Sequence, residues 1–262
     1  MKHLLAAPAL FSLLALASAS ALAADLGSTG YQQDFDAMGT SGSAPPTGWT
    51  VLTGNSGTSN SSWTTSIPAM GANSVATLVA TSGTLSAVTL PSGTNNNGFN
   101  AALSADATGD RVLATSPTTV SGAALQLALT NTTGQSIDQL LIGYDTVRYT
   151  STATANELPG YWLFYSLDGA SWSNVEALNP TADNLPNTVG VSSFAPTLVS
   201  LSAPLAAGQT FWLRWVDDNA RQTSPDQIIG LNNLSISAVP EPGSALLLGA
   251  GLVLGALRRR RG

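Results

Sequence analysis

The chain has 262 residues, no cysteine, one histidine and a formal net charge of −6. His3 and the one lysine, Lys2, sit at the extreme N-terminus, so the remainder has no thiol nucleophile, Ser-His-Asp triad, imidazole zinc ligand or Schiff-base lysine. Residues 25–239 carry 12 Asp and 2 Glu against 4 Arg, a net −10 that repels phosphate backbones and argues against nucleic acid as a partner.

In chain order, the first segment is a targeting signal. Lys2 and His3 give it a positive start, residues 4–16 are apolar, and Ala21-Leu22-Ala23 is a small-x-small cleavage pattern before Ala24. Ala21 and Ala23 are therefore the expected signal-cleavage residues. Residues 1–23 are expected to be removed during export through the Sec translocon.

Residues 24–238 read as one all-β domain. Strands are expected at 31–35, 49–52, 74–80, 84–90, 111–114, 123–130, 139–149, 161–166, 197–201, 211–216 and 231–237. In 123–130, Ala124, Leu125, Leu127 and Leu129 give an apolar face against Gln126 and Ala128. In 211–216, Phe211, Leu213 and Trp215 share one face, and Trp212, Arg214 and Val216 the other. Gly, Pro, Asn and Asp clusters separate the runs at 91–98, 131–134 and 204–208, and Asp168-Gly169 is a hairpin signal. No part of the body keeps a 3.6-residue period, and no fixed repeat points to a solenoid or propeller. Short strands with frequent turns predict an antiparallel β-sandwich.

Four groups of side chains bear on chemistry. Asp34 and Asp36 alternate with Phe35 and are expected to share a solvated strand face at the domain's start. Glu157 and Glu176 are the only glutamates before the tail, and a glycosidase needs two carboxylates flanking the scissile bond. Trp162, Trp172, Trp212 and Trp215, with Tyr144, Tyr149, Tyr161 and Tyr165, fill either a sandwich core or a sugar-stacking platform. Trp162 and Trp212 are the expected exposed pair for glycan contact. Asp217, Asp218, Asn219 and Asp226 crowd one loop; their oxygens suit Ca²⁺, and the alternative is a solvated turn with Asx caps.

The C-terminus has three parts in order. Pro240-Glu241-Pro242 breaks any helix, residues 245–257 form an uncharged apolar run expected to be a membrane-embedded helix, and Arg258, Arg259, Arg260 and Arg261 form a cytoplasmic basic stop. At 1.5 Å per residue this run reaches only ~20 Å of the ~30 Å hydrocarbon core. Snorkelling arginines and local thinning make up part of the difference.

This tail, residues 239–262, resembles the PEP-CTERM sorting signal, also called the ice-binding protein C-terminal domain. The resemblance implies recognition by exosortase, a membrane protease-transpeptidase, with processing near Pro-Glu-Pro. It further implies a Gram-negative host that makes exopolysaccharide, transient residence in the inner membrane, and a final place at the cell surface or in the extracellular matrix. The body, on Phe35-Asp36-Ala37-Met38, Gly48-Trp49-Thr50-Val51, residues 129–134, residues 164–169, Phe211-Trp212-Leu213-Arg214-Trp215 and residues 230–236, is similar to bacterial extracellular jelly-roll modules. In those modules the closing strand usually carries an acidic pair; here Asn232 and Asn233 stand in its place.

The sequence thus leads to a secreted, jelly-roll-like antiparallel sandwich with no assigned catalytic residue. The expected function is a surface or matrix protein that binds exopolysaccharide, with Ca²⁺ as the one candidate cofactor. The alternatives are an extracellular glycan hydrolase acting through carboxylates and a purely structural matrix or biofilm component.

Overall fold

The computed structural model describes residues 22–54, 81–92, 98–117, 120, 122–150, 160–181, 188–218 and 228–239. Along the chain the strands are β1 (Ala24–Leu26), β2 (Tyr31–Gln33), β3 (Trp49–Thr53), β4 (Thr81–Ser82), β5 (Leu85–Ala87), β6 (Gly98–Ala102), β7 (Arg111–Thr115), β8 (Gly122–Asn131), β9 (Ile137–Arg148), β10 (Trp162–Ser166), β11 (Ser173–Asn174), β12 (Gly190–Leu205), β13 (Thr210–Asp218) and β14 (Ile229–Ala238). The single-turn 3-10 helices Asp36–Met38 and Glu176–Leu178 are the only helices among the described residues.

These strands form two sheets. The first runs β11-β10-β13-β8-β3-β4 with β1 also on β8; the second runs β12-β9-β14-β7-β6-β5 with β2 also on β14. The period-two residues meet between them. Leu125, Leu127 and Leu129 of β8 and Phe211, Leu213 and Trp215 of β13 join Leu140, Ile142 and Tyr144 of β9 and Leu231, Leu234 and Ile236 of β14 in one buried core. Trp49, Tyr144 and Trp215 sit at its centre, with Trp49 and Trp215 stacked at 5.4 Å between ring centroids.

The sandwich has buried residues on its backs as well. Phe99, Ala101, Val112, Ala114 and Val147 form a second cluster on the outer face of the second sheet. Gly230 crosses this cluster, and a Cβ there would lie 2.2 Å from Val112 Cγ1. Phe164, Val216 and Ala124 are fully buried on the outer face of the first sheet.

Several expectations change here. The architecture is all-β, but it is mixed rather than purely antiparallel: β1 lies parallel to β8 and β5 parallel to β6. β1 takes the ladder beside residues 129–131 of β8, just past the pairing of Leu127 with Trp49, where β3 begins. The expected strand at 31–35 stops at Gln33, because Phe35 adopts a left-handed φ of 64° and leads into the 3-10 turn. Asp34 and Asp36 therefore share no strand face: Asp34 Oδ1 accepts from the Asp36 amide, and Asp36 Oδ1 accepts from the Arg111 amide at 2.7 Å. The expected strand at 74–80, the signal residues through Ala21 and the apolar run at 245–257 lie outside the described residues. Among the described residues no helix is long and apolar enough to cross a membrane.

The Asp168-Gly169 hairpin signal holds, with β10 pairing β11 antiparallel and Gly169 at a φ of +74°. At one end of the sandwich the finish of β9, β7 and β13 meets the start of β14 and β12. Arg148 pairs with both Ile229 and Gly190, and Thr115 pairs with Ile229.

Candidate functional site

Three polar constellations stand out from an otherwise apolar framework. The first closes the end of the core just described. Thr115 Oγ1 on β7 donates to Asp217 Oδ2 on β13 at 2.6 Å, across the two sheets. Tyr161 Oη lies 3.0 Å from Thr115 Oγ1 and donates to the Ile229 carbonyl at 3.0 Å. Burial, and then the Asp217 carboxylate, hold the Tyr161 hydroxyl well above the ordinary tyrosine pKa, so it stays protonated and acts as a donor. Arg148 and Thr146 are buried on the same strand face, and the Thr146 hydroxyl has no hydrogen-bond partner.

The second lies on the outer face of the first sheet. The register places Phe164, Arg214, Gln126 and Thr50 in one row across β10, β13, β8 and β3. Arg214 Nε donates to Gln126 Oε1 at 3.0 Å, and the guanidinium lies 4.0 Å over the Trp172 ring. Burial pulls the Arg214 pKa down to about 10. In the next row Trp212 lies beside Ser166. A Cβ on Gly169 would be 3.6 Å from three atoms of the Trp212 six-membered ring, so the ring lies flat against the β10–β11 turn.

That turn is pinned by one carboxylate. Asp168 Oδ1 accepts from the Ala170 amide at 2.8 Å and the Ser171 amide at 2.7 Å, and Oδ2 accepts from Ser171 Oγ at 2.9 Å. Ser166 Oγ also donates to Oδ1 at 3.0 Å. The Ser171 and Ala170 amides, followed by the two hydroxyls, hold the Asp168 carboxyl far below the ordinary carboxylate range.

The third constellation is the bulge in β14, where the register against β9 shifts between Asn232 and Ser235. Asn233 takes a φ of 49°. Asn232 Nδ2 donates to Asp110 Oδ1 at 3.0 Å and Asn233 Nδ2 to Asp145 Oδ2 at 2.8 Å. Ser193 Oγ donates to the other oxygen of Asp145. Two amides thus satisfy two carboxylates at the position where the resemblance placed an acidic pair.

The sites named from sequence fall as follows. Of the four oxygen ligands proposed for Ca²⁺, Asp217 is fully buried and already bonded by Thr115. Asp218 ends β13 opposite Gly122, while Asn219 and Asp226 lie outside the described residues. Among the described residues no three His, Cys, Asp or Glu side chains converge as a metal cluster. Trp162 is corrected: it is 7% exposed, because the outer face of the first sheet is itself covered. Trp212 keeps partial exposure. Trp172 and Trp215 are buried. Glu176 is exposed and opens the second 3-10 turn, and Glu157 lies outside the described residues.

Sequence reading missed Arg111, whose side chain entered only in the count of four arginines in residues 25–239. It donates to Asn100 Oδ1 at 2.8 Å, the Thr108 carbonyl at 3.0 Å and the Val88 carbonyl at 2.9 Å. Asn100 in turn holds the Gly39 and Gly42 carbonyls, so this hub fixes the opening of the domain. An arginine opening the apolar run Val112-Leu113-Ala114 is the one sequence signal that marks it.

The folded part of the chain ends at the tail. β14 finishes at Ala238, and the Val239 amide donates to the Gln139 carbonyl at 3.0 Å. Pro240-Glu241-Pro242 follows directly, and Arg258 to Arg261 close the tail beyond the described residues. Residues 238–261 match the family model of the PEP-CTERM protein-sorting motif. No curated protein matches the chain in sequence. Among the solved structures that match is a family GH115 4-O-methyl-α-glucuronidase, BtGH115A, with specificity for decorated arabinogalactans; it is 10% identical, with 51% of this chain and 15% of that one covered at a TM-score of 0.29. Another is the Agl-KA catalytic domain, 17% identical, with 50% and 22% covered at a TM-score of 0.25. The chain therefore spans less than a quarter of either structure. Its C-terminus, by contrast, carries the PEP-CTERM motif of exosortase-sorted, exported proteins.

Proposed function

We propose that the sandwich is a non-catalytic, polysaccharide-binding module of the bacterial cell surface or exopolysaccharide matrix. The observation that carries this reading is Trp212. Its ring is laid flat along the Gly169 turn, the turn is fixed by the Asp168 bonds, and the indole is left partly exposed. A flat aromatic face held rigid beside exposed hydroxyls and a carboxylate matches the apolar face and hydroxyl rim of a sugar ring. The sorting motif, one residue beyond the last strand, supports delivery of this face to the outside of the cell. Exosortase and the Sec translocon are the processing partners in this reading, and the inner membrane is a transient station.

The test is retention of the exported, tail-processed protein on the producing strain's own exopolysaccharide, with and without EDTA. Retention that Trp212→Ala abolishes supports the proposal. Retention lost with EDTA adds Ca²⁺ as a ligand and directs mutagenesis to Asp218. Absence of retention in both buffers replaces the proposal with a purely structural matrix role. Release of shortened glycan would place the hydrolase alternative, with Glu176, in front.

A further inference from the structure

The four sheet edges are unequal. β4 and β11 end the first sheet with two residues each, and β5 ends one side of the second with three. β12 ends the other side with sixteen. Short edge strands, charges and bulges are the ordinary protections against edge-to-edge pairing. The first three edges are protected by length alone. β12 is long and has no charged residue; its protections are two bulges, at Phe194/Thr197 and Ser200/Leu205, each holding a proline, and it still exposes Val191 and Leu198 at 52% and 51%. Val189, just before it, is 66% exposed.

We propose that β12 is a self-association edge, through which two copies of this chain pair antiparallel about a two-fold axis. The occupant follows from the inventory of edges. Among the described residues another copy offers one unpaired strand long enough to extend a ladder, and that strand is its own β12. Such a contact is isologous and closes at two copies. Charge points the same way. Two bodies of net −10 repel over most of their surfaces, while the β12 strip brings no charge to the contact. Pro196 and Pro204, which lack an N–H, fall within the two register shifts of β12 against β9. Between the two shifts lies Thr197–Ser200, a run without proline or charge that keeps a regular register with β9, and the two-fold axis falls within it. The pairing joins the two second sheets into one continuous sheet. It goes beyond the polysaccharide-binding reading and does not depend on it.

The absence of cysteine makes the test direct. The full-length chain is expressed in its exporting host with single substitutions Leu198→Cys, Ser200→Cys or Ser202→Cys, and intact cells are treated with a mild oxidant. Leu90→Cys, 49% exposed and away from β12, is the control. The expected result is a covalent dimer that peaks at one β12 position, roughly ten-fold above the control because proximity raises effective concentration. Adding Leu198→Glu to Ser200→Cys should return the yield to the control level. Cross-linking on β12 no faster than at Leu90→Cys overturns the proposal, as does a yield unchanged by Leu198→Glu.

Discussion

Thr115 and Asp217 stand 102 residues apart in sequence and meet across the core, where the Thr115 hydroxyl donates to the Asp217 carboxylate at 2.6 Å. The bond ties β7 of the second sheet to β13 of the first. Asp217 had been read as one oxygen of a loop site, but its burial turns it into a clamp between layers.

Two buried threonines on this end should respond in opposite directions. Thr115→Val removes a donor that the buried Asp217 carboxylate uses, and an unmet buried acceptor costs ~1–3 kcal/mol. Thr146→Val removes a buried hydroxyl that has no partner, and should be neutral or stabilise by up to ~1 kcal/mol. Urea unfolding of the two variants gives both signs in one experiment. Equal destabilisation would deny the inter-sheet bond any special weight.

The strands that sequence reading placed well are those with a clean period of two. The expected 123–130 became Gly122–Asn131, and 211–216 became Thr210–Asp218. The faces of Leu125, Leu127 and Leu129 and of Phe211, Leu213 and Trp215 follow for the same reason, while Ala124, expected beside the leucines, lies on the outer face with Val216. Where both faces of a strand are buried, alternation carries no information. Trp162 and Phe164 on β10, and Phe99 and Ala101 on β6, are of this kind. β6 itself was missed because it opens on Gly98, the last residue of the 91–98 turn cluster; Asn100 is buried there as a partner of Arg111. Of β12, only residues 197–201 were legible, since its exposed serines, alanines and prolines hide its length. The sorting motif of the tail was legible because it needs order and composition but no tertiary contact.

Gly230 is a space requirement rather than a turn. Its built Cβ would meet Val112 Cγ1 at 2.2 Å and the Ala114 Cβ at 3.2 Å. Gly230→Ala should cost ~1–3 kcal/mol through overpacking. Val112→Ala opens that space, so the double variant should lose less stability than the two single changes added together. A strictly additive double-mutant cycle, read by denaturant unfolding, would contradict the contact.

Arg111 should not tolerate lysine. Its guanidinium serves Asn100 Oδ1 and the Thr108 and Val88 carbonyls at once, in a planar geometry that an ammonium cannot reproduce. Each acceptor left unmet in the interior costs ~1–3 kcal/mol, so Arg111→Lys should lower stability by more than a surface Arg→Lys change ever does. Thermal unfolding is the readout. A melting temperature unchanged within error would show the hub to be dispensable.

Asp168 sets a pH window for the turn beneath Trp212. Its carboxylate is held as the anion by two amides and two hydroxyls, so its folded pKa lies below the unfolded value of about 3.9. A group of this sign contributes its full stability above the unfolded pKa and loses it as pH falls through the folded one. The Ala170 and Ser171 amide resonances should therefore hold their positions at pH 4 and titrate only in stronger acid. A midpoint at the ordinary aspartate value would remove the claim that these bonds fix the turn.

The same turn governs the proposed glycan contact. Trp212 owes its orientation to Gly169, and Gly169 owes its left-handed conformation to the Asp168-bonded turn. Trp212→Ala removes the aromatic face itself, and since the residue is only partly buried the variant should keep a cooperative unfolding transition. Asp168→Ala leaves the indole in place but frees the turn behind it, so polysaccharide affinity should fall by less than with Trp212→Ala. Trp162→Phe alters an aromatic residue that is 7% exposed and should leave affinity unchanged while costing stability. Binding isotherms on the strain's exopolysaccharide rank the three. A ranking led by Trp162→Phe would move the binding face away from the Gly169 turn.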